Sequence, residues 1–283
     1  MSERLEVTHP AGLFEFLAAR LSGWHRNILR ERLRAGCVRV NGQAVTRGDH
    51  ALSAGDRVEV AARGEGPSSP PRGIVTLYED EHLIAIDKPA GLLSVSTERQ
   101  RERTALALVR ESLSRPGRPA RLWPVHRLDR ETSGVLLLAR SREVCEAVRA
   151  TWDEVTKTYL AIVEGHPRPS TGAVEQPLWE DRALFVHAGR KPGAKQARTR
   201  YRTLASPPGR ALLEVELDTG RRHQIRVHLA WLGHPVVGDA RYGRGGPRLW
   251  LHAQHLGLPH PQDGCRLRIE APAASEFARL LGV

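Results

Sequence analysis

A short stretch of glycine, proline and serine limits how this chain can fold. Residues 64–73 contain three glycines, three prolines and two serines. Such a composition offers no periodic apolar side chains to bury and is typical of an extended linker. The sequence therefore predicts a small domain over residues 1–62, a linker over 63–73 and a larger domain over 74–283.

The net charge of the chain is its most unusual compositional feature. Its 283 residues include 43 lysines and arginines against 32 aspartates and glutamates, which gives a net charge of +11. Four of these cations are lysines and the rest are arginines, whose planar guanidinium matches phosphates and base edges. A GC-rich genome would also explain the ratio of arginine to lysine, but not the net excess. The excess favours a polyanionic partner, most commonly nucleic acid.

The three cysteines and the N-terminus indicate where the protein works. Cys37, Cys145 and Cys265 are odd in number and show no CxxC spacing, which argues against a disulfide framework or a zinc ribbon. The first residues lack the apolar core of a signal peptide, and the apolar runs are too short to span a bilayer. We therefore expect a cytoplasmic protein without a membrane span.

The predicted small domain combines helical and strand patterns with clustered arginines. Apolar residues recur at helical spacing from Leu13 to Leu21 and again from Ile28 to Leu33. The segment from residue 26 to 42 resembles the αL RNA-binding module of several ribosome-associated proteins, and this resemblance implies docking on folded RNA. A solvated charged face is the alternative that charge alone leaves open. The arginines that the resemblance assigns to RNA contact are Arg26, Arg30 and Arg34.

The predicted larger domain contains short apolar runs typical of strands, with loops and a few helical segments between them. The strand-like runs cover residues 74–77, 83–86, 134–139, 159–164 and 212–217, and the helical segments cover 104–112, 143–152 and 275–281. There is no internal repeat and no regular alternation of strand and helix. The pattern favours an α+β fold over a doubly wound parallel sheet.

An aspartate between two arginines precedes the most apolar of these runs. Residues 126–139 read HRLDRETSGVLLLA, so Asp129 stands where the chain leaves solvent and enters the core. A carboxylate with cations one and two residues away stays ionised and available as a nucleophile or base. The same pattern also fits a turn-forming aspartate, because aspartate is common in turns.

Three other segments accompany this one in a fixed order. They are DKPAGL at 87–92, KTYLAIVEG at 157–165, and TGRRHQIRVHL at 219–229, which is followed by GDARYG at 238–243. Together with HRLDRETSG they resemble the RluA-like family of pseudouridine synthases across the whole predicted larger domain. The resemblance implies a catalytic domain built on a mostly antiparallel, mixed β-sheet. It also implies the isomerisation of uridines in structured RNA without a cofactor or a metal.

The resemblance implies individual roles in the reaction. Asp129 would attack the uridine while the glycosidic bond breaks and re-forms at a base carbon. Arg226 would pair with Asp129, and a charge within an apolar run does need a partner. Tyr159 would stack under the target base and help remove the proton left on the rebuilt carbon, although a strand tyrosine also fits plain core packing. The residues that would contact the RNA nearby are Arg127, Arg130 and Leu251.

Chemistry on a base within folded RNA requires the nucleotide to leave its stack. The resemblance implies that Arg127 fills the vacated space, where its guanidinium can stack and hydrogen-bond. Leu251 would complete an apolar floor, and a leucine in a strand also fits simple core packing. Large-subunit ribosomal RNA is the expected substrate, transfer RNA is the alternative, and a monomer is expected.

Other functions fit parts of the sequence. Six histidines fall between residues 223 and 260, but they show no HExxH pattern and no carboxylate or cysteine at ligand spacing, so we expect no metal. A glycosidase needs two acids on opposite sides of the bond, about 5 Å or more apart, whereas Asp129 and Glu131 are close neighbours in sequence. A non-catalytic RNA-binding or ribosome-assembly protein fits the charge, but it has no use for an anion in a basic groove.

Overall fold

The computed structural model describes residues 3–21, 26, 29, 33, 38–45, 48–60, 74–96, 104–116, 118–273, 277 and 280. The chain divides into two compact units. One comprises Met1–Ser69 with Ser112–Ala120, and the other comprises Pro70–Glu111 with Arg121–Val283. The predicted linker and most of the second predicted helix, including Arg30 and Arg34, lie outside the described residues.

The smaller unit is built around a four-stranded antiparallel sheet. Its elements in chain order are β1 (Glu3–Glu6), β2 (Ala11–Gly12), α1 (Leu13–Arg20), β3 (Val38–Val40), β4 (Gln43–Ala44), β5 (Ala51–Leu52) and β6 (Arg57–Val60). The sheet has the order β1-β6-β3-β4, and β2 pairs with β5. Alternating valines of β3 and β6 are buried against Leu13 and Leu17 of α1, as the apolar spacing predicted. Leu29 and Leu33 belong to the same core.

The remaining elements build a ten-stranded sheet with helices beside it. In chain order they are β7 (Val75–Glu79), β8 (Leu83–Lys88), α2 (Ala105–Leu113), β9 (Trp123–Pro124), β10 (Ser133–Ala139), α3 (Arg142–Ala150), β11 (Thr156–Glu164), β12 (Thr171–Val174), β13 (Leu178–Glu180), β14 (Val186–Ala188), β15 (Thr199–Ala205), β16 (Arg210–Leu217), α4 (Gln224–Trp231), β17 (Leu251–Pro259) and β18 (Arg266–Glu270). Among the described residues no helix is long and apolar enough to cross a membrane.

The large sheet is mixed, but most of its strand pairs are antiparallel. Its order is β12-β15-β16-β11-β17-β10-β8-β7, with β18 paired to β17 and β9 paired to β10. Within the described residues β10 and β17 run parallel, and the other pairs of this sheet run antiparallel. The α+β fold with a mostly antiparallel, mixed sheet is therefore confirmed.

Two strands at the centre of this sheet approach each other at a glycine. Gly134 of β10 lies opposite Ala253 of β17 and has a φ of 110°, a conformation that favours glycine. A Cβ added to Gly134 would lie 2.1 Å from the carbonyl oxygen of Ala253. Any side chain here would push β17 away, so this glycine holds the start of β10 beside β17.

Two apolar clusters of the larger unit bring the site motifs together. Side chains of β8 and β10 pack with Cys145 and Val148 of α3. Side chains of β11, β15 and β16 pack with Ile225 and Leu229 of α4. Strand β17 lies between β10 and β11 in the sheet. The turn before β10, the strand β11 and the helix α4 consequently lie close together in the larger unit.

Candidate active site

Asp129 lies in the turn directly before β10. The backbone amide of Thr132 donates to the carbonyl oxygen of Asp129 at 3.2 Å. The hydroxyl of Ser94 accepts from the amide of Leu128 at 3.0 Å and donates to its carbonyl at 2.9 Å. These bonds fix the backbone on both sides of Asp129, whose side chain keeps 25% of its surface exposed. The carboxylate is therefore both anchored and accessible.

Lys88, which is fully buried, also supports the turn that contains Asp129. The ammonium of Lys88, at the end of β8, donates to the carbonyl oxygens of Pro89 at 2.9 Å, Leu92 at 2.8 Å and Arg130 at 3.1 Å. Burial lowers the pKa of Lys88 to about 8, although the charges of Glu131, Asp129 and Asp87 oppose this shift. Lys88 thus ties the loop after β8 to the residue that follows Asp129.

Arg226 extends from α4 and contacts two carboxylates at once. Its Nε and Nη2 donate to the two oxygens of Asp239 at 2.7 and 2.8 Å, and its Nη1 donates to Oδ2 of Asp129 at 3.3 Å. Two parallel bonds between a guanidinium and a carboxylate fix both groups in one plane. Burial alone would lower the pKa of Arg226, but its bonds with Asp239 and the charges of both carboxylates raise it. Arg226 therefore presents a permanent positive charge to Asp129.

Asp239 holds Arg226 in place and is itself held by backbone amides. Its side chain has no exposed surface, and its Oδ1 accepts from the amides of Arg241 at 2.9 Å and Tyr242 at 3.1 Å. Burial would raise the pKa of this carboxyl, but the bonds and charge of Arg226, together with those amides, lower it. Asp239 is consequently an ionised group at the centre of the site.

His223 completes the surroundings of Asp129. It precedes α4 with a φ of 53°, and its Nδ1 lies 2.8 Å from the hydroxyl of Tyr242. Its Nε2 lies 3.8 Å from Oδ2 of Asp129. Burial and the neighbouring arginines, chiefly Arg226, lower the pKa of His223 to about 4 against the opposing charge of Asp129. The imidazole is therefore neutral at physiological pH.

Tyr159 lies on β11 opposite Ala253 of β17 and Val215 of β16. Burial and the charge of Asp129 raise the pKa of its phenol well above the ordinary value. Its hydroxyl therefore stays protonated at physiological pH. Tyr159 packs against the apolar cluster that contains Leu251, which is 3% exposed. The structure thus places Leu251 in the core, within the cluster against which Tyr159 packs.

The predicted RNA-contacting residues occupy different places. Arg127 is exposed and lines a pocket beside Tyr159, while Arg130 is exposed and its Nε donates to the carbonyl of Gly91 at 3.1 Å. In the smaller unit the guanidinium of Arg26 pairs with Glu15 at 3.0 Å and keeps 60% of its side chain exposed. The larger unit therefore brings together Asp129, Tyr159 and Arg226, and Arg127 lies nearby.

Two of the histidines near the end of the chain, His228 and His252, serve the fold through hydrogen bonds. His228 bonds to Thr199 at 2.8 Å and to the carbonyl of Gln176 at 2.9 Å. His252 bonds to Ser133 at 2.9 Å and to the carbonyl of Ala271 at 3.0 Å. These contacts join the start of β10, the strand β17 and the segment after β18. They match the packing role that the sequence indicated for these histidines.

Four residues of the site had no assigned role in the sequence analysis, although all lie in quoted motifs. They are Lys88, His223, Asp239 and Tyr242. The available signal was charge within apolar surroundings: Lys88 follows a buried strand, and Asp239 follows two valines and a glycine. Buried ions need partners. Searching for a partner for Arg226 among the motif acids would have found Asp239 as well as Asp129.

Two buried neutral histidines of the larger unit make stability depend on pH. Burial lowers the pKa of both His126 and His223 to about 4 from an ordinary value of 6.5. The unfolded chain binds more protons between these pH values, so their contribution is complete above pH 6.5 and is lost as pH falls towards 4. We expect the urea-unfolding free energy of His223→Gln to fall less steeply than that of the wild type over this range. An unchanged slope would contradict a buried neutral His223.

Comparison with known proteins identifies the family of this chain. Residues 82–231 match the RNA pseudouridylate synthase family. The chain is 33% identical to ribosomal large subunit pseudouridine synthase D of Nitrosomonas europaea, covering 98% of this chain and 87% of that protein. It is 34% identical to an uncharacterised RNA pseudouridine synthase of Bacillus subtilis, covering 86% of this chain and 83% of that protein.

A solved structure gives the same result for the fold. Human RNA pseudouridylate synthase domain containing 4 superposes with a TM-score of 0.62 at 27% identity, covering 73% of this chain and 91% of that one. Fold, motifs and relatives define an RNA pseudouridine synthase, which is an isomerase. The chain belongs to the RluA-like family of these enzymes.

Proposed function

We propose that this enzyme converts uridine to pseudouridine in large-subunit ribosomal RNA, with Asp129 as its catalytic carboxylate. The observation that carries the proposal is the contact of the accessible Asp129 carboxylate with Arg226, at 3.3 Å, inside the family's motifs. Relatives named ribosomal large subunit pseudouridine synthases C and D support this RNA. Transfer RNA is the alternative substrate.

The reaction exchanges one bond to the ribose for another. The carboxylate of Asp129 attacks the uridine while the bond between ribose C1′ and base N1 breaks. The base turns and C1′ bonds to base C5 as the bond between C1′ and the Asp129 carboxylate breaks, after which the proton on C5 leaves and N1 gains a proton. Arg226 donates to Oδ2 of this carboxylate and holds it in position, as a preorganised charge in a partly buried site does. The sum is an isomerisation, so we propose that it needs neither a cofactor nor a metal.

Tyr159 supports the base during this exchange. Its ring offers a flat apolar surface next to Asp129, and Leu251 packs in the cluster beneath it. Because the raised pKa keeps its phenol protonated, Tyr159 accepts the C5 proton only by passing its own proton on. We therefore assign Tyr159 a stacking role first and a proton relay second.

Arg127 accounts for access to the base. A uridine within folded RNA must leave its stack before Asp129 can reach it. Arg127 is exposed, follows the anchored His126, and stands two residues before Asp129. Its guanidinium can fill the gap left in the RNA by stacking and hydrogen bonding. The exposed Arg130 on the other side of Asp129 suits contact with phosphate.

We propose that the smaller unit acts as an αL RNA-binding module that uses Arg26, Arg30 and Arg34. If it anchors RNA through phosphates, deleting residues 1–62 weakens binding and flattens the salt dependence, because each lost phosphate contact removes about one unit of slope. Binding of ribosomal RNA fragments measured from low to high salt provides the test. An unchanged slope would place the anchor in the larger unit.

The direct test of the proposed function uses RNA with hydrogen isotope at C5 of uridine. The purified enzyme should release that label from large-subunit ribosomal RNA, and release should persist after treatment with EDTA. Pseudouridines mapped in cellular RNA with and without the gene should differ at particular ribosomal positions. Differences confined to transfer RNA would reject the ribosomal assignment, and a lack of release from every RNA would reject the activity. We further propose that the enzyme acts as a monomer in the cytoplasm, where ribosomal RNA is modified.

A further inference from the structure

A pocket of about 490 Å³ opens beside Tyr159 in the larger unit. Fifteen residues line it; Asp129 is not among them, and none of them is an acid. Three are cations, namely Arg127, Arg149 and Lys157. The volume lies within the range of about 300–1,000 Å³ that is usual for small-ligand sites. A pocket with several cations and no acid selects for an anion.

Lys157 is the most informative of these cations, because it is 7% exposed and poorly satisfied. Its ammonium can donate three hydrogen bonds. The structure shows one, to the carbonyl of Trp152 at 3.5 Å. The ammonium also lies over the Trp152 ring, 5.5 Å from its centre. In the described part of the chain no carboxylate forms a salt bridge with it, and the carboxylates of Asp218 and Asp153 act on it only through their charge. A buried charge without a counter-ion is costly, so proteins keep such a group where a ligand supplies the partner.

The other two cations are less available than Lys157. Arg149 donates to the carbonyls of Val125 at 2.9 Å and Pro124 at 2.7 Å, so it joins α3 to β9. Arg127 is exposed and has its own proposed role beside the target base. Burial lowers the pKa of Lys157, while the more distant charges of Asp218 and Asp153 oppose that shift. Lys157 is thus the cation whose missing partner requires an explanation.

The position of Lys157 on β11 relates the pocket to the reaction. Lys157 and Tyr159 are two residues apart on one strand, so their side chains leave the same face about 6.6 Å apart. Both line the pocket, whereas Asp129 and Arg226 do not. An occupant of the pocket therefore lies next to a base stacked on Tyr159. Trp152 adds an aromatic wall on the Lys157 side.

We propose that this pocket binds a nucleotide adjacent to the target uridine, with Lys157 on its phosphate and Trp152 against its base. The inference rests on the proposed function, because it takes the base on Tyr159 to be the target. A nucleotide meets both requirements of the pocket, since it has an anion for the unpaired ammonium and a flat surface for the aromatic wall. The site would select RNA in which two successive nucleotides leave the stack together.

The first experiment measures binding directly on the full-length protein. The indole resonance of Trp152, assigned with a Trp152→Phe variant, is followed by NMR during titration with uridine 5′-monophosphate, uridine or inorganic phosphate. We expect the monophosphate to shift this resonance and to bind about tenfold more tightly than either fragment. Lys157→Met should weaken its binding about tenfold. Lys191→Met is the matched control, because Lys191 also lies over a tryptophan, Trp179, at 3.6 Å but outside the pocket.

Three results would overturn the inference. One is a Trp152 resonance that does not move with the monophosphate. A second is phosphate alone binding as tightly as the nucleotide, which means an anion site without base recognition. A third is equal loss of affinity in the Lys157 and Lys191 variants, which means general charge attraction. Each of these results is independent of catalysis.

The second experiment separates this inference from the proposed function. In label-release assays with the mapped substrate RNA, Lys157→Met should raise KM about tenfold with little change in kcat, and Lys157→Arg should restore most of the loss. A fall in kcat at constant KM would instead indicate damage to the Asp129 site and would overturn the binding role. If the wild type releases no label from any RNA, the proposed function fails, whereas the NMR result on the pocket remains valid.

Discussion

Replacement of Asp129 by asparagine is expected to lower kcat for pseudouridine formation by at least about 10⁴-fold, the scale seen when an enzyme loses its nucleophile. The amide keeps the shape of the side chain and one oxygen that can accept from Arg226, which donates to Asp129 at 3.3 Å. It removes the negative charge that attacks the ribose. Fold and RNA affinity should therefore be preserved, because the side chain is 25% exposed and Arg226 keeps its two bonds to Asp239. Loss of a carboxylate beside RNA phosphates can only favour binding.

Glu131 provides the matched control for this prediction. It lies two residues from Asp129 in the same turn and is exposed, so Glu131→Gln removes an equal charge from nearly the same place. Its kcat should stay within about twofold of the wild type, since surface substitutions away from a site have small effects. Release of the C5 label is measured for all three proteins under single-turnover conditions. Wild-type release by Asp129→Asn would reject the catalytic assignment, and equal losses in both variants would indicate that the turn needs charge rather than a nucleophile.

Two of the strands that the sequence predicted, β10 and β8, are almost completely buried. Ser133–Ala139 is buried at every position, so it has a continuous apolar run after its first two residues. Strand β8 is similar, with four buried apolar residues in succession. Residues buried on both faces leave an unmistakable pattern in the sequence, because neither face tolerates polar side chains. Helix α3 was also predicted, and Ser141 caps its N-terminus by accepting from Val144.

Two elements that the sequence did not predict, β15 and α4, have polar side chains satisfied by distant partners. Strand β15 alternates arginines with buried residues, and its Arg200 and Arg202 pair at 2.7–3.2 Å with carboxylates of β16 and of Asp218, directly after β16. Helix α4 carries Arg226 and His228 inside its buried face, which breaks the apolar period. Their partners lie 13 and 29 residues away. A periodic pattern in the local sequence contains no information about partners so far away in the chain. These two elements could therefore be recognised only from the tertiary structure.

The same contrast holds for the active site: features of the local sequence were predicted, whereas the contact between Arg226 and Asp239 was not. The position of Asp129 before an apolar strand is a local feature, and motif resemblance gave it a role. The stronger contact of Arg226, with Asp239 rather than Asp129, depends on how the segment after α4 folds back. Two bonds of 2.7 and 2.8 Å against one of 3.3 Å indicate that Arg226 is anchored by Asp239 and reaches Asp129 with its remaining nitrogen.

Replacement of Asp239 by asparagine should consequently affect both stability and catalysis. Removing one partner of a buried ion pair costs about 3–5 kcal/mol, because the remaining charge stays buried without compensation. Asp239 has no exposed side-chain surface, so solvent cannot replace it. The loss of unfolding free energy is measured by urea titration. Hydrogen exchange of the β11 and α4 amides then reports on the larger unit. Glu214→Gln is the control, because its pair with Arg202 is solvent-exposed and should contribute about 1 kcal/mol or less.

Catalysis in Asp239→Asn distinguishes an anchor from a simple structural ion pair. If Asp239 fixes the direction of Arg226, its loss lets the guanidinium turn towards Asp129, and a displacement of about 1 Å lowers kcat about 10²-fold. Arg226→Lys should show a similar fall in kcat, since lysine cannot bond both oxygens of Asp239 and reach Asp129 at the same time. The double variant should then lose little more than either single variant, because both changes break one unit. Additive losses in kcat would mean that Asp239 and Arg226 act on the reaction separately, and the anchoring role of Asp239 would be wrong.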